Sequence, residues 1–433
     1  MKILLIGNGA REHVMAEKLA EDAELYAIMS KKNPAITQLS KEYWICDIQN
    51  TDEVANIIKG KEFDLGFSSP DATLAAGISD VLEKGGMLVA SPTKAASRIE
   101  WDKSFMRNLL KDHKIEGAIK YEIVDNAKDA ERVIKDYGDV AIKPIGLTGG
   151  KGVKVSGDHF DDAPGALDYI TEVLKKDDNV LIEEKLVGQE FSFQAFSDGS
   201  HISMMPPVQD HKRAYLGDSG PNTGGMGSYS TGKLLPFLEE SDLEMAKRIM
   251  KGTIHALKKE GSPFKGVLYG QFMANGNSVK VVEFNARFGD PEAMNVLPLL
   301  KNSLTNVLLS MADGQLSPAE FSNESTVVKY LVPEGYPVSP KKDAEIVVND
   351  LGLEECGAKL YYASVYEDGG KIFTTGSRAF GILGKAENIE DAEKIAEKGC
   401  NFVKGPVWHR EDIGTKKLID KRIENMDTLR GKN

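Results

Sequence analysis

Along the first ninety residues, short apolar runs alternate with stretches in which apolar positions return every three or four residues. "KILLIG" (2–7), "ELYAIM" (24–29), "FDLGFSS" (63–69) and "MLVAS" (87–91) have strand length, whereas "REHVMAEKLAED" (11–22) and "TLAAGISDVLEKG" (73–85) carry helical spacing. That rhythm predicts βαβ units on a parallel sheet. "SPTKAASRIEWDKSFMRNLLKDH" (91–113) opens with the capping-type residues Ser91 and Thr93 and continues at helical spacing, which places a junction near residue 100. From 119 to 193 the strand-like pieces "IKYEIV", "DVAIKP", "GVKVS", "NVLIEEKL" and "EFSFQAF" flank two helical stretches and predict a small α+β unit with an antiparallel sheet. The segment 209–227 holds five glycines and a proline without periodicity and reads as a long functional loop. "GVLYGQFMANGNSVKVVEFNARF" (266–288) reads as a β-hairpin turning near Asn275 and Gly276. Pro333 and Pro337 interrupt the pattern; "AKLYYASVY", "KIFTTGS" and "AFGILGKA" then read as strands and "IEDAEKIAEKGCNFVK" as a helix. The expected organisation is α/β and α+β multidomain: a Rossmann-like unit over 1–102, a central region over 103–325 with a small lid at about 119–193, and a small α+β unit over 326–433.

Composition narrows the partners. A chain of 433 residues has room for about three domains at roughly 150 residues each. Its formal charge of −12, with acids and bases interspersed, repels a phosphate backbone, so nucleic acid is excluded as a partner. Cys46, Cys356 and Cys400 form neither a disulfide framework nor a zinc knuckle. With no leader-type segment and no long apolar run, the expectation is an unprocessed cytoplasmic protein away from the membrane, a monomer or small homo-oligomer.

The chemistry concentrates in two stretches. "AIKPIGLTGGKGVKV" (141–155) sets Gly146, Gly149, Gly150 and Gly152 around Lys151, with Lys143 upstream. It lacks the Lys-Ser/Thr ending and the following helix of a P-loop. Its glycines would still let the backbone point N–H groups at an anion, as a flap over phosphates; a flexible hairpin with a solvated lysine is the alternative. "VVEFNARFGDPEAM" (281–294) supplies oxygen ligands for a magnesium ion, because Glu283 and Asn285 share one face of a strand. Gln271 stands opposite Glu283 if the hairpin loop spans Gly276 to Ser278. Read singly, these are solvent-facing strand residues. Arg287 adds a bidentate phosphate grip, and Asp290-Pro291 resembles an N-cap followed by N1.

The glycine-rich flap, "LIEEKLVGQE" and the E-x-N pair together resemble the ATP-grasp enzymes, which hold ATP between two antiparallel β-layers. Within them the chain is similar to the phosphoribosylamine–glycine ligases over nearly its whole length, through "GNGAREH" (7–13), "SPTKAA" (91–96), "GLTGGKGV" (146–153), "QDHKR" (209–213), "GPNTGGMG" (220–227), "NARFGDPE" (285–292) and "GSRAFGILG" (376–384). It departs from the family's usual pattern at Gly149, at Asp71 and around Asn33. The resemblance implies ligation of glycine to 5-phosphoribosylamine in purine synthesis, with ATP and Mg2+ or Mn2+ and a glycyl phosphate intermediate. It further implies that Lys103, Lys143 and the flap neutralise phosphates, that Glu183, Glu184 and Lys185 line the adenine, and that Glu190 binds the ribose. Gln271, Glu283 and Asn285 would hold the metal, and Arg287, Asp290 and Lys151 would act in catalysis. Gly9, Asp71, Asp210, His211, Lys212, Asn222, Thr223 and Gly224 would contact the other substrates. Three rivals remain at this point: a dinucleotide-dependent dehydrogenase using "GNGARE", disfavoured because Glu12 stands where that fingerprint wants glycine; another ATP-grasp ligase; and a non-catalytic nucleotide sensor.

Overall fold

The computed structural model describes residues 1–148 and 152–432. Gly149, Gly150 and Lys151 of the flap lie outside the described residues. The N-terminal unit is a parallel sheet in the spatial order Glu42–Ile45, Glu24–Met29, Lys2–Ile6, Leu65–Ser68, Leu88–Val89. Its central strand is buried from Ile3 to Ile6, which is why it reads as an unbroken apolar run: helices cover both faces. The edge strand Glu42–Ile45 was not part of the sequence expectation. It is largely exposed; beyond its ladder to Glu24–Met29, its half-buried Trp44 packs on Tyr26 and Phe63.

The lid is a second, separate core. Strands Tyr121–Val124, Val180–Glu184, Val140–Pro144 and Lys154–Val155 lie antiparallel in that order, and the helices Ala127–Tyr137 and Ala163–Leu174 pack on them through Ala130, Val133, Ala166 and Ile170. The flap joins the second and third of these strands in chain order, Val140–Pro144 and Lys154–Val155, which pair with each other. One expectation is corrected here. "EFSFQAF" leaves the lid: strand Gln189–Asp198 pairs along its whole length with Lys265–Asn275 in a different sheet, completed by Ile202–Met204 and Ser278–Asn285. All but Glu190 of its ten residues are buried, as expected of a strand central to a large core.

The hairpin at 265–285 needs a correction in detail. Asn275 pairs with Ser278, so the loop has two residues rather than three. Gln271 nevertheless opposes Glu283, because Val282 is an extra residue bulged between the pairs Gln271–Glu283 and Phe272–Val281. The segment 209–227 is not an unstructured loop either. Arg213–Tyr215 and Ser219–Asn222 form a hairpin, and Gln209–Asp210 and Gly227–Ser230 enter a sheet.

That sheet runs Gln209–Asp210, Gly227–Ser230, Ser325–Pro333, Phe380–Ala386, Lys359–Tyr362, so the central and C-terminal parts share one antiparallel layer. Within "AKLYYASVY" there are two strands, not one, and Val365–Asp368 belongs to a separate sheet with Lys371–Thr374, Glu345–Val348 and Val403–Lys404. The helix Ile389–Cys400 lies where expected; the final helix Lys416–Leu429 adds an element that the pattern reading passed over. No helix among the described residues is long and apolar enough to cross a membrane.

His13, of "GNGAREH", pins the first unit to the last. Its Nδ1 accepts the Tyr362 N–H at 2.9 Å, and its ring meets Tyr361 edge-on. Burial, aided by Lys359, pushes its pKa down to about 3. In the unfolded chain the imidazole titrates near its ordinary value, about 6.5, so between these two values the unfolded state binds the extra proton. Stability is therefore expected to fall as pH drops from about 6.5 toward 3. Thermal unfolding followed across that range should show the loss, and His13→Gln, which cannot take up the proton, should flatten it.

Candidate active site

The site forms where lid, hairpin and the first residues of helix Lys103–Asp112 meet. Arg107 on that helix is 1% exposed. Its Nε donates to Glu183 Oε1 of the lid at 2.6 Å, and its two Nη groups donate to the carbonyls of Val281 and Val282 at 3.0 and 2.8 Å. Lys143 completes the join, 2.7 Å from Glu183 Oε2 and 3.3 Å from the Val282 carbonyl. Val282 is the bulged residue, and Val281 lies on the sheet's edge strand with its N–H turned outward to the Gly117 carbonyl, which leaves both carbonyls open to cations. Burial favours a protonated Glu183, but Arg107 and Lys143 outweigh it and hold the carboxyl below its ordinary range. The Glu183 side chain is thus an internal fastener between lid and hairpin. Lys103 Nζ donates to the Gly146 carbonyl at 2.6 Å, anchoring the base of the flap.

Glu283 lies just beyond this join. Burial pushes its pKa up, but Lys212, Lys143, Lys103 and Arg287 together hold it below the carboxylate range. Among the described residues no group hydrogen-bonds its oxygens. An ionised, half-buried carboxylate with no hydrogen-bond donor and four cations around it is suited to a metal that arrives with phosphates. Asn285, its neighbour on the strand, accepts from Arg287 Nη2 at 3.2 Å. No group of three or more His, Cys, Asp or Glu among the described residues could hold a metal alone. The oxygen donors of Glu283 and Asn285 fit a hard divalent cation that shares its coordination with phosphate oxygens and water. Gln271 is already committed: its Oε1 accepts Lys212 Nζ at 2.6 Å and its Nε2 donates to Glu190 at 2.7 Å. It links the two residues expected at substrate and ribose, Lys212 and Glu190, and stands opposite Glu283 in the ladder.

Arg287 pairs with buried Glu100 at 3.0 Å, and Glu100 also accepts the Ala286 N–H at 2.7 Å. Burial raises Glu100, and Arg287 opposes that rise. Asp71, heading the helix Asp71–Ala76 of the first unit, contributes its charge to the same pair. Asp290 does not cap a helix as its sequence predicts. The helix there is the single turn Ala293–Val296, and Asp290 instead accepts the Tyr330 hydroxyl at 2.5 Å and pairs with Arg378 at 3.1 Å. Arg378, from "GSRAFG", also donates to the carbonyls of Gly224, Gly225 and Asp290, drawing "GPNTGGMG" and "RFGDPE" together. Thr223 closes on Lys212: its N–H and hydroxyl both donate to the Lys212 carbonyl. Asn222 forms the last pair of the hairpin, with Arg213. Asp210, raised by burial and by Glu292, sits beneath Gly225. At Gly225 (φ +112°) a Cβ would come within 2.5 Å of Asp210 Oδ1 and 2.8 Å of Pro291. Gly225→Ala is expected to destabilise by about 1–3 kcal/mol, read from denaturant unfolding.

Two expected substrate contacts point elsewhere. His211 is 1% exposed, its ring packed against Tyr229 and its Nδ1 at the Gly227 carbonyl. Gly9 spends its N–H on Glu12 Oε2 at 2.6 Å. Glu12 folds back into the glycine turn, and a Cβ on Gly7 would come within 2.6 Å of it. Arg11 and Ser69 complete its hydrogen bonds. A dinucleotide's pyrophosphate would have to occupy the place this carboxylate already fills, which disposes of the dehydrogenase reading. Arg107, Glu100, Arg378 and Glu12 were missed as site residues, although Glu12 and Arg378 lay in motifs already singled out and Glu100 and Arg107 in the helical stretch 91–113.

Two antiparallel layers, one bearing the flap and lysines and the other a free carboxylate, define an ATP-grasp enzyme. The chain matches the N domain (1–100), the ATP-grasp A domain (101–293) and the C domain (326–416) of phosphoribosylglycinamide synthetase. It is 49% identical over 438 aligned residues to the phosphoribosylamine–glycine ligase of Methanosarcina acetivorans, covering 100% of this chain and 98% of that one. To the same-named protein of Methanobrevibacter smithii it is 48% identical, covering 99% and 100%. The crystal structure of phosphoribosylamine–glycine ligase from Thermotoga maritima superposes with a TM-score of 0.82 at 25% identity, over 95% of this chain and 100% of that one. The chain belongs to the phosphoribosylglycinamide synthetase family, the phosphoribosylamine–glycine ligases of purine biosynthesis.

Proposed function

We propose that this enzyme joins the carboxylate of glycine to the amine of 5-phosphoribosylamine, converting ATP to ADP and phosphate. The observation that carries this reading is the ring of Lys103, Lys143, Lys212 and Arg287 around the unbonded Glu283 carboxylate. It supplies the charge a triphosphate needs, in a protein whose net charge is otherwise strongly negative. Phosphoryl transfer asks a protein mainly for positioning and charge neutralisation. A glycine carboxylate oxygen attacks the γ-phosphorus and ADP leaves. The amine of phosphoribosylamine then attacks the acyl carbon of the glycyl phosphate, and phosphate departs with the carboxylate oxygen.

Lys103, Lys143 and the 146–152 flap hold the triphosphate; the Glu184–Lys185 backbone borders the adenine and Glu190 takes the ribose. Mg2+ or Mn2+, held by Glu283 and Asn285, would neutralise the charge developing on the phosphates. Arg287, kept in place by Glu100, stabilises the phosphoryl and acyl phosphate oxygens. Asp290 meets the glycine amine, its direction set by Tyr330 and Arg378. Asp71, Asp210, Lys212, Asn222, Thr223 and Gly224 surround the phosphoribosylamine. A coupled assay with glycine, ATP and freshly made phosphoribosylamine tests the reading. Sustained ADP formation must require both co-substrates, and ADP formation indifferent to glycine would refute it.

A further inference from the structure

We propose that Asp218, gripped by Arg410 and Arg422 from the C-terminal segment, is a positioning residue that sets the Lys212 loop against the substrate. This rests on the reading of that loop as a substrate binder. Asp218 occupies the turn of the Arg213–Tyr215/Ser219–Asn222 hairpin with φ +60°, a left-handed conformation uncommon for residues other than glycine, asparagine and aspartate. Each of its oxygens meets a different guanidinium: Oδ1 the Arg410 Nη1 at 2.9 Å, Oδ2 the Arg422 Nη2 at 2.8 Å. The Arg410 side chain is fully buried and that of Arg422 is 15% exposed.

Both arginines are oriented before they reach Asp218. Arg410 grips Asp412 through two bonds, at 2.9 and 2.8 Å, and also donates to the Arg213 carbonyl at 2.9 Å. Arg422 donates its other Nη to Gln189, the neighbour of Glu190, at 2.8 Å. It comes from the helix Lys416–Leu429, which runs past residue 416, where the match to the family's C domain ends. The hairpin has little core of its own: Tyr215 and Leu216 at its tip are 43% and 57% exposed. A segment with so few buried apolar contacts depends on such clamps for its order. Its exit strand leads to Thr223, which is bonded to the Lys212 carbonyl, so the turn's position passes directly to Lys212 and on to Gln271. The last helix thereby reaches the substrate loop through one carboxylate.

The test is Asp218→Asn, which keeps the size, tolerates the left-handed backbone and removes the charge, with Arg422→Gln as a second variant. Each is expected to raise KM for phosphoribosylamine about tenfold or more while leaving kcat and KM for ATP within about twofold, since a small misplacement of a binding group is costly. The melting temperature should fall much less than on loss of Arg107, because Arg410 keeps both bonds to Asp412 and Arg422 is partly exposed, while amide hydrogen exchange over 213–222 should quicken. An unchanged KM, or a joint fall of kcat, ATP affinity and melting temperature, would overturn the proposal. If wild-type enzyme fails to use phosphoribosylamine at all, the functional reading fails instead; exchange over 213–222 then still decides the clamp, because unaltered protection in both variants refutes it.

Discussion

Glu283→Ala is expected to lower glycine-dependent ADP formation by about 100-fold or more, since even the loss of an outer partner of a metal ligand costs 10- to 100-fold. The carboxylate is the anionic donor on the hairpin side of the site, and four cations keep it ionised. Removing it leaves those cations facing one another, so apparent affinity for free triphosphate should hold or rise while dependence on the divalent cation weakens. Raising the Mg2+ or Mn2+ concentration in steady-state assays separates these effects. Near-normal turnover at ordinary metal concentrations would remove Glu283 from the proposed ligand set. The fold is not expected to suffer, because the Glu283 side chain makes no hydrogen bond among the described residues.

Arg107→Ala should act the opposite way, on stability first. The substitution leaves Glu183 buried with Lys143 alone and strips donors from the Val281 and Val282 carbonyls. Breaking a buried pair from one side costs about 3–5 kcal/mol, a large part of a typical folding free energy of about 5–15 kcal/mol. Urea unfolding should register the loss, and ATP binding should weaken with it because the lid is no longer tied to the hairpin. Arg107→Lys should recover little, since one ammonium cannot direct bonds to a carboxylate and two carbonyls at once. A stability within about 0.5 kcal/mol of wild type, the range of an ordinary surface change, would show that the join between lid and hairpin does not depend on this residue.

How far the sequence led depended on what kind of force shaped each part. The parallel sheet was legible because Lys2–Ile6 and its neighbours are buried on both faces and leave unbroken apolar runs. The edge strand Glu42–Ile45, mostly wet, left no such trace. The facing of Gln271 and Glu283 was anticipated through an assumed three-residue loop; the real loop is one residue shorter and the bulge at Val282 restores the register. No local pattern announces a bulge on a buried strand. Strand Gln189–Asp198 was assigned to the wrong sheet because periodicity reports burial, not partner. Residues that face the ligands carried recognisable motifs, whereas Arg107, which meets a partner 76 residues away, was silent, and the motif holding Arg378 did not announce its partner 154 residues away. Asp290-Pro291 misled for a related reason, since its carboxylate is claimed by Tyr330 and Arg378 from a later part of the chain.

The central claim is that glycine's carboxylate is activated by the γ-phosphate before the amine attacks. Glycine labelled with 18O in both carboxylate oxygens, turned over with unlabelled ATP and phosphoribosylamine, tests it directly. The account predicts that each phosphate released carries one 18O and that the amide product retains the other. Unlabelled phosphate, with both labels elsewhere, would contradict it.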